Sequence, residues 1–248
     1  MPSPAPNPAP ASLRSAWFLA LARRYVRRRI ARGLDGLYVA GLDAAREAAR
    51  RGPVILAANH VGWWDSFLVI ALDEALNTEG YALMDAESVR RLPFFARLGA
   101  LPLDRSGGAR ARAGLRAGAD RLDRPGRALW VFPQGRHRPA HLRPLGFEPG
   151  IRLLARWVPS STVVPISIQY AWGDQPGPAA YARLGAPVSA SGLDLDALEA
   201  EIIDGLARID GAVDRGEPGF IPLIAGRTAS PEGGWGARLL GGREAAHD

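Results

Sequence analysis

In the segment Ala58-Asn59-His60-Val61-Gly62-Trp63-Trp64-Asp65-Ser66 an imidazole precedes a carboxylate by five residues. That spacing does not stack two side chains on one face of a continuous helix, where neighbours lie three and four apart. It suits a loop histidine that folds back on an aspartate at the start of the next helix, where the helix dipole favours negative charge. Such a carboxylate would accept the Nδ1 proton of His60, fix the tautomer and leave Nε2 as a base. Imidazole, with an ordinary pKa of about 6.5, is suited to proton transfer near neutrality. The plain alternative is that His60 closes a loop and Asp65 caps a helix. A metal centre is not expected: the chain has four histidines and no cysteine, and no second ligand lies at a usual spacing from His60. Ser66 and Ser106 are the nearby hydroxyls, and neither sits in the Gly-x-Ser-x-Gly turn that exposes a nucleophilic serine.

The elements that must position this pair alternate between strand and helix. Residues 53–57 form a short apolar run suited to a buried strand, which places His60 just past a strand's carboxyl end, where ligands collect in α/β sheets. Residues 65–76 predict a helix, 81–84 a strand, a short helix ending near Pro93 follows, and 107–123 carry a helical apolar stripe. Residues 128–132 and 162–169 predict strands with a helix over 150–157 between them, 181–188 a further strand, and Leu195, Leu198, Ile202, Leu206, Ile209 and Val213 a closing helix. The expected class is α/β, a largely parallel mixed sheet flanked by helices. The expected divisions are a disordered Pro-rich start at 1–11, an amphipathic basic helix at 12–34, one domain at 35–215 and an irregular Gly/Pro-rich tail at 216–248. A length of 248 residues with 47% hydrophobic content is ample for one core.

Charge is distributed unevenly. All 31 cations are arginine, against 25 acids. Residues 1–34 hold seven arginines and no acid, and residues 88–191 hold sixteen arginines against five acids, while acids predominate in the other two stretches. In the first helix Leu13, Trp17, Leu21 and Tyr25 recur every fourth residue, with arginines crowding the later half. One expectation is a helix lying in the head-group layer of an anionic membrane, and the other is a helix packed on the domain with solvated arginines. The apolar run Ala16 to Ala22 is far short of the ~20 residues a spanning helix needs. The basic residues lie mainly after that run, the reverse of a secretory signal, so the expected location is cytoplasmic, peripheral on the inner face of the membrane.

Asn59-His60-x4-Asp65 resembles the first motif of the glycerolipid acyltransferases, the family of lysophosphatidate and glycerol-3-phosphate acyltransferases. The resemblance continues in order along the chain. Gly99-Ala-Leu-Pro-Leu-Asp104-Arg105 is similar to the second motif, Phe132-Pro133-Gln134-Gly135 to the third, Val164-Pro165-Ile166 to the fourth, and Leu184-Gly185-Ala186-Pro187 to a turn near the domain's end. The resemblance implies an O-acyltransferase of phospholipid biosynthesis in which His60, oriented by Asp65, deprotonates an acceptor hydroxyl. That hydroxyl then attacks the thioester of acyl-CoA or acyl carrier protein. The thioester is a co-substrate, and neither cofactor nor metal is implied. Asn59, Arg105, Phe132, Pro133, Gln134, Gly135, Arg136 and Arg138 are the implied substrate-binding residues, with Arg105 suited to bidentate phosphate binding. The third motif departs from the family's Phe-Pro-Glu-Gly-Thr-Arg-Ser: Gln134, Arg136, His137 and Arg138 replace Glu, Thr, Arg and Ser. The acceptor could therefore be a glycerophosphate, a lysophospholipid or a non-phosphate lipid such as a glycolipid. Trp63 and Trp64 would either wall a substrate channel or pack in the core.

Two other classes compete with this reading. A non-catalytic protein could use its arginines to bind anionic lipid or nucleic acid, but no nucleic-acid reading element is found, and nucleic acid is not an expected partner. A thioesterase or lipase would hydrolyse the thioester without an acceptor. The expected partners are an anionic membrane surface, a lipid acceptor and, as alternative donor, acyl carrier protein.

Overall fold

The computed structural model describes residues 14–173, 176–215 and 219–226. Its strands are β1 (Gly36–Ala40), β2 (Val54–Ala58), β3 (Glu79–Asp85), β4 (Ala100–Leu103), β5 (Arg127–Val131), β6 (Thr162–Trp172), β7 (Pro178–Leu184), β8 (Val188–Ser189) and β9 (Ile221–Ala225). Its helices are α1 (Ala16–Gly33), α2 (Leu42–Arg51), α3 (Asp65–Leu76), α4 (Ala86–Arg91), α5 (Phe94–Leu98), α6 (Gly108–Ala119), α7 (Gly150–Trp157) and α8 (Leu195–Arg215). The strands join in one sheet of order β4-β3-β5-β2-β6-β7-β1-β9, with β8 on β6. The pairs β3–β4, β3–β5, β2–β5, β2–β6 and β1–β7 are parallel, and β6–β7, β6–β8 and β1–β9 are antiparallel. The sheet is thus mixed and largely parallel, as the sequence pattern implies.

Strand alternation divides the core in two. Val54, Leu56 and Ala58 of β2 point into a cluster with α1, α2 and α3, whereas Ile55 and Ala57 point into one with α6, α7 and α8. A strand buried on both faces reads as an unbroken apolar run, which is why the sequence announces β2 clearly. By contrast α2, which buries Leu42, Ala45, Ala48 and Ala49, was not anticipated. The strands β1 and β4 were likewise not anticipated.

The expectation of an irregular tail from residue 216 is corrected over 221–225. These residues form β9, antiparallel to β1 at the sheet's edge. An outermost strand tolerates Pro222 because its missing N–H can face away from the ladder. The proline-rich start at 1–11, Leu13 and the tail beyond 226 lie outside the described residues.

A buried carboxyl near this sheet sets a pH dependence. Asp73 Oδ1 accepts hydrogen bonds from Trp130 Nε1 (2.9 Å) and Thr78 Oγ1 (3.0 Å). Burial pushes its pKa up to about 6, against the opposing pull of those bonds and of Arg14 and Arg23. A carboxyl whose folded pKa exceeds its unfolded value contributes stability below the unfolded pKa and loses it as pH rises through the folded one. Asp73→Asn keeps an acceptor for both donors. Its melting temperature relative to the wild type is expected to rise between pH 4 and pH 7, and a pH-independent difference in thermal melts would contradict this.

Candidate active site

The His60 loop follows β2, and its first residue is built into the sheet. Asn59 Oδ1 accepts from Ile168 N (2.7 Å) and Nδ2 donates to Ile168 O (2.9 Å), so the side chain extends the β2–β6 ladder. It is buried, with 1% exposure, and this corrects its expected place among the substrate contacts. The loop then turns around Asp65, the first residue of α3, whose side chain is fully buried. Asp65 Oδ2 accepts from Val61 N (2.8 Å) and Gly62 N (3.1 Å) and lies 2.6 Å from His60 Nδ1. Its Oδ1 accepts from the Tyr170 hydroxyl at 2.6 Å. A carboxylate only accepts, so Nδ1 carries the imidazole proton and Nε2 is left as the acceptor. Burial, followed by the charge of Asp65 and the hydrogen bond to it, raises the Tyr170 pKa, which keeps the phenol a donor throughout the working range.

The loop after β5 is stitched to the His60 backbone. His60 N donates to Gln134 Oε1 (2.6 Å), and Arg138 N donates to His60 O (2.8 Å). Leu145 O accepts from both Gln134 Nε2 (3.3 Å) and Arg138 Nη1 (2.9 Å). Gln134, 3% exposed, is therefore scaffold, a correction to its expected contact with the acceptor. A glutamate could also accept from His60 N, but only the amide can donate to Leu145 O as well, which gives the Glu-to-Gln departure a local reason. Arg138 is committed to the same carbonyl and is likewise a scaffold residue.

The remaining motif residues line a cavity of about 520 Å³ together with His60: Arg105, Phe132, Pro133, Gly135 and Arg136. Apolar side chains such as Val69, Ile70, Leu83, Met84, Leu98 and Ile151 form much of its wall. The His60 ring stacks on Phe132 at 4.2 Å and meets His137 edge-on at 4.0 Å. Burial and the neighbouring His60 lower the His137 pKa, with Asp65 acting in the opposite sense. Gly135 adopts φ +63°, and a Cβ there would fall 2.6 Å from Arg105 Nη2 and 2.8 Å from Glu148 Oε1. A side chain larger than hydrogen would be strained at this φ and would displace the tips of Arg105 and Glu148.

Trp63 and Trp64 do not line the cavity. Trp64 packs against Gly33 of α1 and Phe67 of α3, and Trp63, 61% exposed, stacks near Phe67 at 4.7 Å. Ser66 lines the cavity, but its hydroxyl donates to Trp63 O. Among the described residues, no group of three or more His, Asp or Glu side chains is placed to hold a metal ion.

Sequence reasoning missed Tyr170, the contact of His137 with His60, and Glu148. The available signal for Tyr170 was a phenol in a largely apolar strand, since a buried tyrosine hydroxyl requires a partner.

A family model described as Acyltransferase matches residues 38–169. No curated protein matches the chain. Among solved structures the chain is similar to the 1-acyl-sn-glycerophosphate (LPA) acyltransferase PlsC from Thermotoga maritima, with a TM-score of 0.58 and 16% identity over 77% of this chain and 79% of that one.

Proposed function

The chain belongs to the acyltransferase family, and from that premise we propose that it is an O-acyltransferase moving a fatty acyl group from a thioester to a hydroxyl of a glycerolipid-type acceptor. The donor is acyl-CoA or acyl carrier protein. The acceptor is a glycerophosphate or lysophospholipid, with a non-phosphate glycolipid as the alternative. One observation carries the reading: Asp65 is saturated with donors and holds the Nδ1 side of His60, so the free Nε2 belongs to a ring that lines the cavity. His60 Nε2 takes the proton of the acceptor hydroxyl as the oxygen bonds to the thioester carbonyl carbon. Asp65 stabilises the imidazolium, the C–S bond breaks, and the proton passes to the leaving sulfur. The apolar wall suits the acyl chain, and Arg105 and Arg136 suit the acceptor head group.

The test is incubation of the purified protein with labelled acyl-CoA or acyl carrier protein and a lipid extract, with products identified by mass spectrometry. An acylated lipid formed only when acceptor is present is the expected result. Free fatty acid released at the same rate without acceptor would make the protein a thioesterase.

The setting proposed for this reaction is the surface of an anionic membrane, on its cytoplasmic face. Among the described residues no helix is long and apolar enough to cross a membrane. Helix α1 buries Leu19, Val26 and Ile30 in the domain yet leaves Trp17, Leu21 and Tyr25 exposed, at 68%, 58% and 55%. Arg24 and Arg28 share that outer face at helical spacing. Aromatic and arginine side chains together suit the head-group layer. Replacing Trp17, Leu21 and Tyr25 by serine is expected to lower flotation with phosphatidylglycerol vesicles by about tenfold while leaving the melting temperature nearly unchanged, since none is in the core. Unaltered flotation would remove the helix from the membrane contact.

A further inference from the structure

Arg105 lines the cavity where an anionic head group is expected, yet its guanidinium already has a partner. Its Nη2 lies 3.3 Å from Glu148 Oε1. The backbone that carries this carboxylate is held: Glu148 N donates to Pro133 O (2.8 Å), and Pro149 follows, which restricts the conformation of the residue before it. The pair rests on the bare Cα of Gly135, the residue whose missing side chain makes room for both groups. The cavity's other charged side chains are Arg136 and Asp85, so two arginines face two acids and the lining has no formal net charge. Asp85 is also fixed, as its carboxylate caps α4 by accepting from Ser88 N (2.9 Å). His137 adds little cationic character near neutrality, because burial and the neighbouring His60 hold it below its ordinary value.

A phosphomonoester is close to a dianion near neutral pH, and binding it at Arg105 would either expel Glu148 or set like charges side by side. A head group with no net charge meets no such penalty. Its hydroxyls, or its own opposite charges, can pair with the guanidinium and carboxylate together.

We propose that Glu148 is a specificity-determining residue that occupies Arg105 and directs the enzyme to acceptors whose head group carries no net charge, against phosphomonoester acceptors. The inference rests on the acyltransfer reading above. Uncharged polyol and zwitterionic phosphodiester head groups share the required chemistry, so both are used as separate arms of the test.

The experiment measures kcat/KM for acyl transfer to three lysolipids with the same acyl chain: a glycosylated monoacylglycerol, lysophosphatidylethanolamine and lysophosphatidate. The wild type is expected to favour one or both of the first two over lysophosphatidate by about tenfold or more, the scale of one added like charge at a half-exposed site. In Glu148→Gln the ratio of lysophosphatidate to the better neutral acceptor is expected to rise about tenfold. In Arg105→Gln, which leaves the carboxylate without its partner, that ratio is expected to fall below the wild-type value. A general folding defect lowers all three activities together and leaves the ratio unmoved, so the ratio separates selection from damage. A wild type that prefers lysophosphatidate by tenfold, or a ratio unchanged in Glu148→Gln, overturns the inference alone. No transfer to any of the three acceptors by the wild type overturns this inference, and the acyltransfer reading falls with it only where the lipid-extract assay above also yields no acylated product.

Discussion

Replacing His60 by alanine is expected to lower acyl transfer at least about 10³-fold while leaving the protein folded. A positioned general base contributes about 10²–10⁴-fold, and no other base among the described residues is held against a buried carboxylate in the cavity. The fold should survive because the interactions that anchor the loop use the backbone of residue 60. Its N–H still meets Gln134 and its carbonyl still meets Arg138 N, whatever the side chain. Asp65 keeps the Val61 and Gly62 amides and the Tyr170 hydroxyl, so no buried charge is stranded. The measurement is a single-turnover rate with saturating donor and acceptor, alongside a thermal melt. Transfer within tenfold of the wild type, in a variant that melts normally, would remove His60 as the base.

The second expectation separates the charge of Asp65 from its shape. In Asp65→Asn an amide oxygen at the Oδ2 position can still accept from the Val61 and Gly62 amides and from Nδ1. The amide nitrogen then faces the Tyr170 oxygen, which can turn to accept. The loop should hold its form, yet the imidazolium produced in the transition state loses its counter-charge. A kcat lower by about 10²–10⁴-fold is expected, with KM for donor and acceptor changed less than about threefold. Tyr170→Phe, which keeps the charge and deletes one donor, should lower kcat by about tenfold or less. It should also cost about 1–3 kcal/mol of stability, the scale of a hydrogen bond to a buried charged group. Equal losses of kcat in the two variants would show that geometry and not charge is what Asp65 supplies.

The two helices that flank the site, α3 and α7, were legible to the residue, α3 from its long apolar run after Asp65 and α7 because Ile151, Leu154 and Ala155 repeat with a strong helical period. The strands β2, β5 and β6 were legible because both of their faces are buried. The strand β9 was not, since Pro222 interrupts its short apolar run and the stretch around it is rich in glycine and proline. Within the candidate site, the approach of His60 to Asp65 could be read from the four positions that separate them in one loop. Asn59 and Gln134 were legible as members of motifs but were assigned the wrong partner. A motif marks a residue as necessary, while only its neighbours in space decide whether it touches a substrate or holds the backbone.

By itself, the sequence determined the class of fold, the family resemblance, the His60–Asp65 pair and the concentration of arginine in the first helix and in residues 88–191. Each is a local property, read over a few residues or summed over a segment. The tertiary structure alone decided that Tyr170, 105 residues from Asp65, completes the carboxylate's coordination, and that Gln134, 74 residues from His60, holds its amide. It also decided that Arg105 meets Glu148 across 43 residues and that the outer stripe of α1 stays exposed while its other face is buried. The reason is the strand order. Placing β5 and β6 on either side of β2 brings the loops after β2 and β5 to one end of the sheet beside Tyr170 of β6, and hydrogen bonds between them form only once the sheet has assembled.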